Sequence, residues 1–224
     1  MNASAGKDTG AAFRAGSRHR GAWWVATGAA VWATVLFFGG KRIVEYAARP
    51  GSSAAPDMYW PAGSRIAHPA DRPALLMFLH PKCPCSRASL SNLERILSFG
   101  ASRVRCTVVF VCPESVSESW RDSDLVGKCR VIAGLSVMFD DGGAEARRFG
   151  ATTSGHVLMY DARGRLFFSG GLTPARGHEG DSSGMDAVRA LISGATPVSV
   201  MTPVFGCPLF EPELAAGLGT GAEE

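Results

Sequence analysis

Two cysteines flank a proline in His80-Pro81-Lys82-Cys83-Pro84-Cys85-Ser86-Arg87. An apolar run, Ala74–Leu79, precedes them and a helical pattern follows, so they fall where a strand turns into a helix. Amides at a helix N-terminus point into that turn and favour a thiolate over a thiol. A lowered thiol pKa suits a thiol–disulfide nucleophile or a thiolate metal ligand, and Lys82 and Arg87 add positive charge nearby. The Cys-x-Cys spacing restricts what the pair can do. Residues i and i+2 of a helix point roughly opposite ways. A Cys83–Cys85 disulfide therefore needs a non-helical turn, with Pro84 fixing one dihedral, and is expected to be strained and easily reduced.

The other cysteines carry weaker signals. Cys106 and Cys112 fall in an apolar strand pattern and Cys129 precedes another apolar segment, as small core residues do. Cys207, in Pro203-Val204-Phe205-Gly206-Cys207-Pro208, lies in an extension without helical period. It reads either as a packed tail residue or as a resolving cysteine folding back towards Cys83. The segment from Ser169 to Gly184 is long, polar and glycine-rich, as functional loops often are. His178 within it is either a solvated loop side chain or part of the site. His19, His68 and His80 carry no usable signal.

These residues need a frame to hold them. Ala74–Leu79 and Val104–Val111 read as buried strands, Leu135–Phe139 as a third, and His156–Tyr160 with Arg165–Ser169 as a hairpin around Asp161-Ala162-Arg163-Gly164. Helical spacing predicts helices over Ser86–Phe99, Glu114–Lys128, Gly143–Phe149 and Met185–Ile192, with Gly100, Gly150 and Gly194 as stops. Periodicity supports an α/β domain over residues 73–195. Residues 196–224 form a C-terminal extension.

Ahead of this domain, no charged residue occurs from Gly21 to Gly40, which includes Trp23, Trp24, Val31, Trp32, Val35, Leu36, Phe37 and Phe38. Twenty helical residues span about 30 Å, the hydrocarbon thickness of a bilayer. Thr27 and Thr34 can return their hydroxyls to the helix backbone. The run exceeds the apolar core of a signal peptide, and Pro56 spoils the Ser53-Ala54-Ala55 cleavage pattern. Residues 21–40 are therefore expected to be a transmembrane helix, 1–20 a disordered cytoplasmic tail and 41–72 a tether. Four basic residues precede the span and three follow it, a thin margin for an N-in orientation. A cysteine-bearing domain behind the span favours the oxidising periplasm of a bacterial inner membrane. The net charge of +3 comprises +3 on residues 1–20 and +2 on 41–50, leaving −2 for residues 51–224. Basic flanks suit anionic lipid, and nothing suggests a nucleic-acid footprint.

The stretch LLMFLHPKCPCSRASLSNLERI resembles the strand–site–helix unit of thioredoxin-like proteins, especially membrane-anchored ones of the cytochrome-maturation type. RFGATTSGHVLMYDARGRLFFSGG resembles the segment where that superfamily carries its cis-proline and following hairpin. The wider pattern HPKCPCSRASL, DDGGAEARRFGATTSG, SGGLTPARGHEGD and TPVFGCPL is similar to bacterial membrane proteins labelled RedB, over about residues 20–210. The resemblance implies a thioredoxin-like fold, a central mixed sheet flanked by helices, preceded by one transmembrane helix. It implies Cys83 and Cys85 as the reactive pair, with Pro84, Arg87, Ser154 and Gly155 in support; His178 and Cys207 are the supporting candidates read from the loop and the extension. Gly155, after Ser154, takes the place of the cis-proline. That proline keeps the superfamily's dithiol away from metals, so the exchange points to His156 as an imidazole near the thiolates.

The leading function is thiol–disulfide redox chemistry without a cofactor, acting on protein thiols or disulfides. Cys83 attacks or is attacked, and Cys85 or Cys207 resolves the mixed disulfide. The alternative is a copper-binding or metallochaperone role like that of Sco-type proteins, using Cys83, Cys85 and either His156 or His178. A peroxidase ranks third, because the Pro-x-x-x-Thr-x-x-Cys pattern of peroxiredoxins is absent. A purely structural role leaves the cysteine pair unexplained.

Overall fold

The computed structural model describes residues 12–52, 55–113 and 118–210. They fall into two compact units, one up to Tyr46 and the other from Ala47 onward.

The first unit is helical. Helix α1 runs Ala12–Ala48, and its Ala22–Ala48 portion is long and apolar enough to cross a membrane. The hydroxyls of Thr27 and Thr34 donate to the carbonyls of Trp23 and Ala30, at 2.9 and 2.8 Å. The expected boundaries change at both ends. Residues 12–20, expected to be disordered, are helical, while 1–11 lie outside the described residues. The helix also continues through Lys41–Ala48 instead of opening into a tether at Gly40. That stretch has few helix breakers, and Lys41 pairs with Glu45 at 3.7 Å, i to i+4. Termination comes at Arg49-Pro50, because the residue before a proline is pushed out of the α region.

In the second unit, strands β1 (Ala74–Leu79), β2 (Arg105–Cys112), β3 (Leu135–Asp141), β4 (His156–Tyr160) and β5 (Leu166–Gly171) form one sheet in the order β3-β2-β1-β4-β5. β1, β2 and β3 are parallel; β4 runs antiparallel to β1, and β5 antiparallel to β4. All six β1 residues are buried, because apolar layers cover both faces of the sheet. On one face Leu75, Met77 and Leu79 meet Leu90, Leu93, Ile96 and Leu97 of helix α2 (Pro84–Gly100). Helices α3 (Asp124–Val131) and α5 (Ser183–Ser193) complete that layer with Leu125, Val126, Met185 and Val188. Each such side chain stabilises the fold by about 1.5–3 kcal/mol. On the other face Leu76, Phe78, Leu158 and Tyr160 pack on Phe149 and Ala146, beside or within helix α4 (Ala144–Arg148). The fold is thioredoxin-like, with α3 and β3 as an extra unit at one edge.

The one internal helix misread from sequence is Glu114–Lys128. Residues 114–117 lie outside the described residues, Glu118–Trp120 is a 3-10 turn, and α3 starts only at Asp124. Ser123 caps it, its Oγ accepting from the Val126 N–H at 3.4 Å. A serine one residue before an acidic first turn is the usual N-cap signal.

Residues 59–66, assigned to the tether by composition, belong to the folded unit. Ile66 is buried against the Phe149 side of the sheet, and Ser64 and Arg65 bond to the buried Glu145. The extension after α5 is likewise docked: the amides of Ser169 and Gly171 donate to Val200 and Pro203. Residues 211–224 lie outside the described residues.

Candidate thiol site

Cys83 is the N-cap of α2, with extended dihedrals (φ −89°, ψ 125°), and Pro84 occupies the first helical turn. Proline suits that position, where its missing N–H has no partner to lose. Because Cys83 is extended, the opposite-face geometry of i and i+2 in a helix does not apply. Its Sγ turns the same way as that of Cys85, and a third sulfur joins them. The Sγ atoms of Cys83, Cys85 and Cys207 lie within 4.8 Å of one another, and Cys83 and Cys207 are 3.0 Å apart. Cys83 is buried; Cys85 and Cys207 are half-buried.

Cys207 reaches the site because its segment docks as a short antiparallel bridge between Thr153 and Pro208. The Ser154 amide donates to the Cys207 carbonyl at 2.8 Å, and the Leu209 amide to the Thr152 carbonyl at 2.9 Å. Gly206 comes so close to the Ser154 carbonyl that a Cβ there would overlap it. Arg176, from the glycine-rich loop, holds the segment from the other side, its guanidinium donating to the carbonyls of Gly206 and Arg49.

The turn before α2 is tied by buried hydroxyls. Ser86 Oγ donates to the His80 carbonyl at 2.9 Å and lies 2.8 Å from Ser154 Oγ, which accepts from the His80 amide at 3.0 Å. Gly155 has φ +92°, and a Cβ there would crowd Ser89 Oγ. Its amide donates to the Phe78 carbonyl at 2.8 Å, fixing the loop against β1.

Electrostatics separate the three thiols. Burial alone would raise the Cys83 pKa, but the Cys207 thiol and the amides of Ser86 and Cys85 hold it below the ordinary value. Burial raises Cys85, and the neighbouring Cys83 charge adds to it. Burial and donation to Cys83 push Cys207 up to about 12. Cys83 is thus the readiest of the three thiols to ionise. Cys106, Cys112 and Cys129 are buried in the core, and burial raises all three.

The remaining residues expected in the site divide by position. Ser154 and Gly155 shape the loop beside the sulfurs. Arg87 instead pairs with Asp124 at the surface, 3.3 Å away. Neither histidine of the copper alternative joins the sulfurs. His178 is exposed, its Nδ1 2.8 Å from the Arg176 carbonyl. His156 is enclosed on the sheet, with Nε2 2.9 Å from Ser169 Oγ and no partner for Nδ1. A strand residue turns to the face its register dictates, and His156 shares that of Leu158 and Tyr160. Sequence reasoning missed Ser86 and Arg176. Arg176 is the only Lys or Arg between Ser169 and Gly184, a signal that was legible; the docking of its partner segment was not.

The enclosed imidazole has a measurable consequence. Burial lowers the His156 pKa from 6.5 to about 4. The unfolded chain therefore binds a proton below pH 6.5 that the folded chain refuses until about pH 4. The stability contributed by a neutral His156 is complete above pH 6.5 and lost as pH falls towards 4, by about 3 kcal/mol in all. Urea unfolding at pH 7 and pH 4 is expected to show that extra loss in the native chain and not in His156→Gln. Parallel pH profiles for the two would refute it.

No protein-family model matches the chain, and no curated protein matches it. Solved structures do. A hypothetical protein of Sinorhizobium meliloti is 18% identical with a TM-score of 0.52, over 72% of this chain and 93% of that one. An uncharacterized conserved protein of Geobacillus kaustophilus is 18% identical with a TM-score of 0.51, over 75% and 95%. A secreted disulfide oxidoreductase of Mycobacterium tuberculosis is 16% identical with a TM-score of 0.39, over 57% and 84%. At these identities the likeness concerns the fold.

Proposed function

We propose that this chain is a thiol–disulfide redox protein in which Cys83 is the attacking thiolate and Cys207 the resolving cysteine. The observation that carries the reading is the 3.0 Å approach of the two sulfurs, with Cys83 the lower in pKa. Cys83 attacks one sulfur of a partner disulfide, whose other sulfur leaves as a thiolate and takes a proton. Cys207 then gives up its proton and attacks Cys83 Sγ. The mixed disulfide breaks, a second partner thiolate leaves, and Cys83–Cys207 carries the disulfide. Two electrons pass to the partner, and the reverse sequence oxidises a dithiol. Cys85, within reach of both sulfurs, is the alternative resolving group.

In the same proposal α1 anchors the domain in a bacterial inner membrane with the domain in the periplasm. Its support is the apolar length of Ala22–Ala48, the basic excess before the span, and the fit of disulfide chemistry to that compartment. The narrower likeness to proteins labelled RedB rests on the sequence motifs.

Peptide mapping of the oxidised chain under non-reducing conditions is expected to recover Cys83 joined to Cys207. A reversible two-electron couple should vanish in Cys83→Ser. Recovery of Cys83–Cys85 as the sole bridge would overturn the role of Cys207, and absence of any reversible couple would overturn the function.

A further inference from the structure

We infer that Cys83, Cys85 and Cys207 also form a three-thiolate site for Cu(I). The Cys83–Cys207 pair leaves Cys85 only a secondary redox role, yet its Sγ and the other two lie within 4.8 Å of one another. Among the described residues no other group of three His, Cys, Asp or Glu side chains brings its ligand atoms together in this way. The sulfurs come from two separate segments held by backbone geometry, the N-terminus of α2 and the bridge from Ser154 to Cys207. The arrangement therefore exists before any ion arrives.

Ligand chemistry selects the metal. Three sulfurs with no imidazole or carboxylate form a soft set, which suits Cu(I). Structural zinc almost always takes four ligands in a tetrahedron, and among the described residues no fourth His, Cys, Asp or Glu completes this group. Three thiolates around a monovalent cation leave a charge of −2. The amides of Cys85 and Ser86 at the start of the 17-residue α2 favour the ionised Cys83 sulfur. The Arg176 cation favours the ionised form of Cys85. Both offset that charge.

The inference goes beyond the redox reading but shares its sulfurs. Binding releases the thiol protons and moves no electrons. A Cys83–Cys207 disulfide removes two of the three ligands, so only the reduced chain binds metal.

The test uses the reduced full-length chain in detergent, titrated anaerobically with Cu(I) held by the chelator bicinchoninate. One Cu(I) per chain should be withdrawn, with thiolate-to-copper absorption in the near ultraviolet. X-ray absorption should show three sulfur neighbours and no imidazole. Cys85→Ser and Cys207→Ser should each weaken binding by more than the roughly 10–100-fold that losing an outer-shell partner costs. His178→Ala should leave it unchanged. Failure to withdraw Cu(I), two-sulfur coordination indifferent to Cys207, or an imidazole in the absorption spectrum would each overturn the inference. A redox titration of the metal-free chain separates this failure from that of the thiol–disulfide reading, because the couple needs no metal.

Discussion

In the folded chain at pH 7, alkylation should fall on Cys83 at least about tenfold faster than on Cys207, Cys106 or Cys129, and Cys83→Ser should remove it. The ratio follows from thiolate populations, reduced by the greater intrinsic reactivity of a high-pKa thiolate. An unperturbed cysteine is a few per cent thiolate at pH 7, and Cys83 lies on the ionised side of that reference. Cys207 and Cys129, pushed up to about 12, are ionised to roughly one part in 10⁵ at pH 7. Cys129 and Cys106 are further protected by complete burial. Exchange with a disulfide probe should follow the same order, because the thiolate is the nucleophile. Cys207→Ser should keep the first attack but let the mixed disulfide accumulate, unless Cys85 resolves it. The sign of the pH dependence is set as well. A depressed folded-state pKa means that Cys83 favours the folded state above its unfolded pKa. That contribution is lost as pH falls through the folded value. Mass spectrometry of a timed alkylation reads all six cysteines at once, and equal labelling of them would remove the case for a reactive site.

The second large effect is structural. Asp140→Ala should destabilise the domain by about 2–6 kcal/mol, because two buried amides lose their acceptor, lowering Tm by roughly 10 °C. Asp140 is fully buried, yet one carboxylate satisfies three donors. Oδ1 accepts from the Glu145 amide at 3.1 Å and from Arg65 Nη2 at 3.0 Å, and Oδ2 accepts from the Ala146 amide at 2.8 Å. Those amides open α4, whose N-cap Gly143 has no side chain to offer. Removing the carboxylate strands two buried N–H groups. It also leaves Arg65, which pairs with the buried Glu145 at 3.6 Å, without its second partner. Asp140→Asn keeps an acceptor but loses the charge, so it should fall between the native chain and alanine. Chemical denaturation followed by tryptophan fluorescence measures the difference. A loss below about 1 kcal/mol, the worth of an exposed ion pair, would show that this carboxylate does not anchor α4.

How much of this was legible before folding depended on the range of the interactions involved. All five strands, and α2, α4 and α5, lie within a residue or two of their sequence-predicted spans, because apolar period and glycine stops are local signals. The errors have a common origin. Composition cannot tell a proline-rich tether from one that docks, and Ile66 and Ser64 were claimed by partners some eighty residues away. The start of α3 was obscured because the polar run before Ser123 shares the composition of a polar helix.

The reactive position itself was a local property. Cys83 at a strand–helix junction, followed by proline, predicts a lowered thiol pKa from the helix terminus, and the amides of Ser86 and Cys85 contribute to it after the Cys207 thiol. Which groups stand around that thiolate was not local. His156 neighbours Gly155 in the chain but is carried by the pleat of β4 to bond Ser169 within the protein. Cys207 is 124 residues from Cys83 and lies 3.0 Å away, brought there by two backbone hydrogen bonds across a bridge that no periodic pattern announces. Residue type and local spacing determined the fold and the nucleophile. The sulfur that faces the nucleophile was decided by the docking of the extension, because such contacts between irregular segments depend on shape and leave no period in the chain.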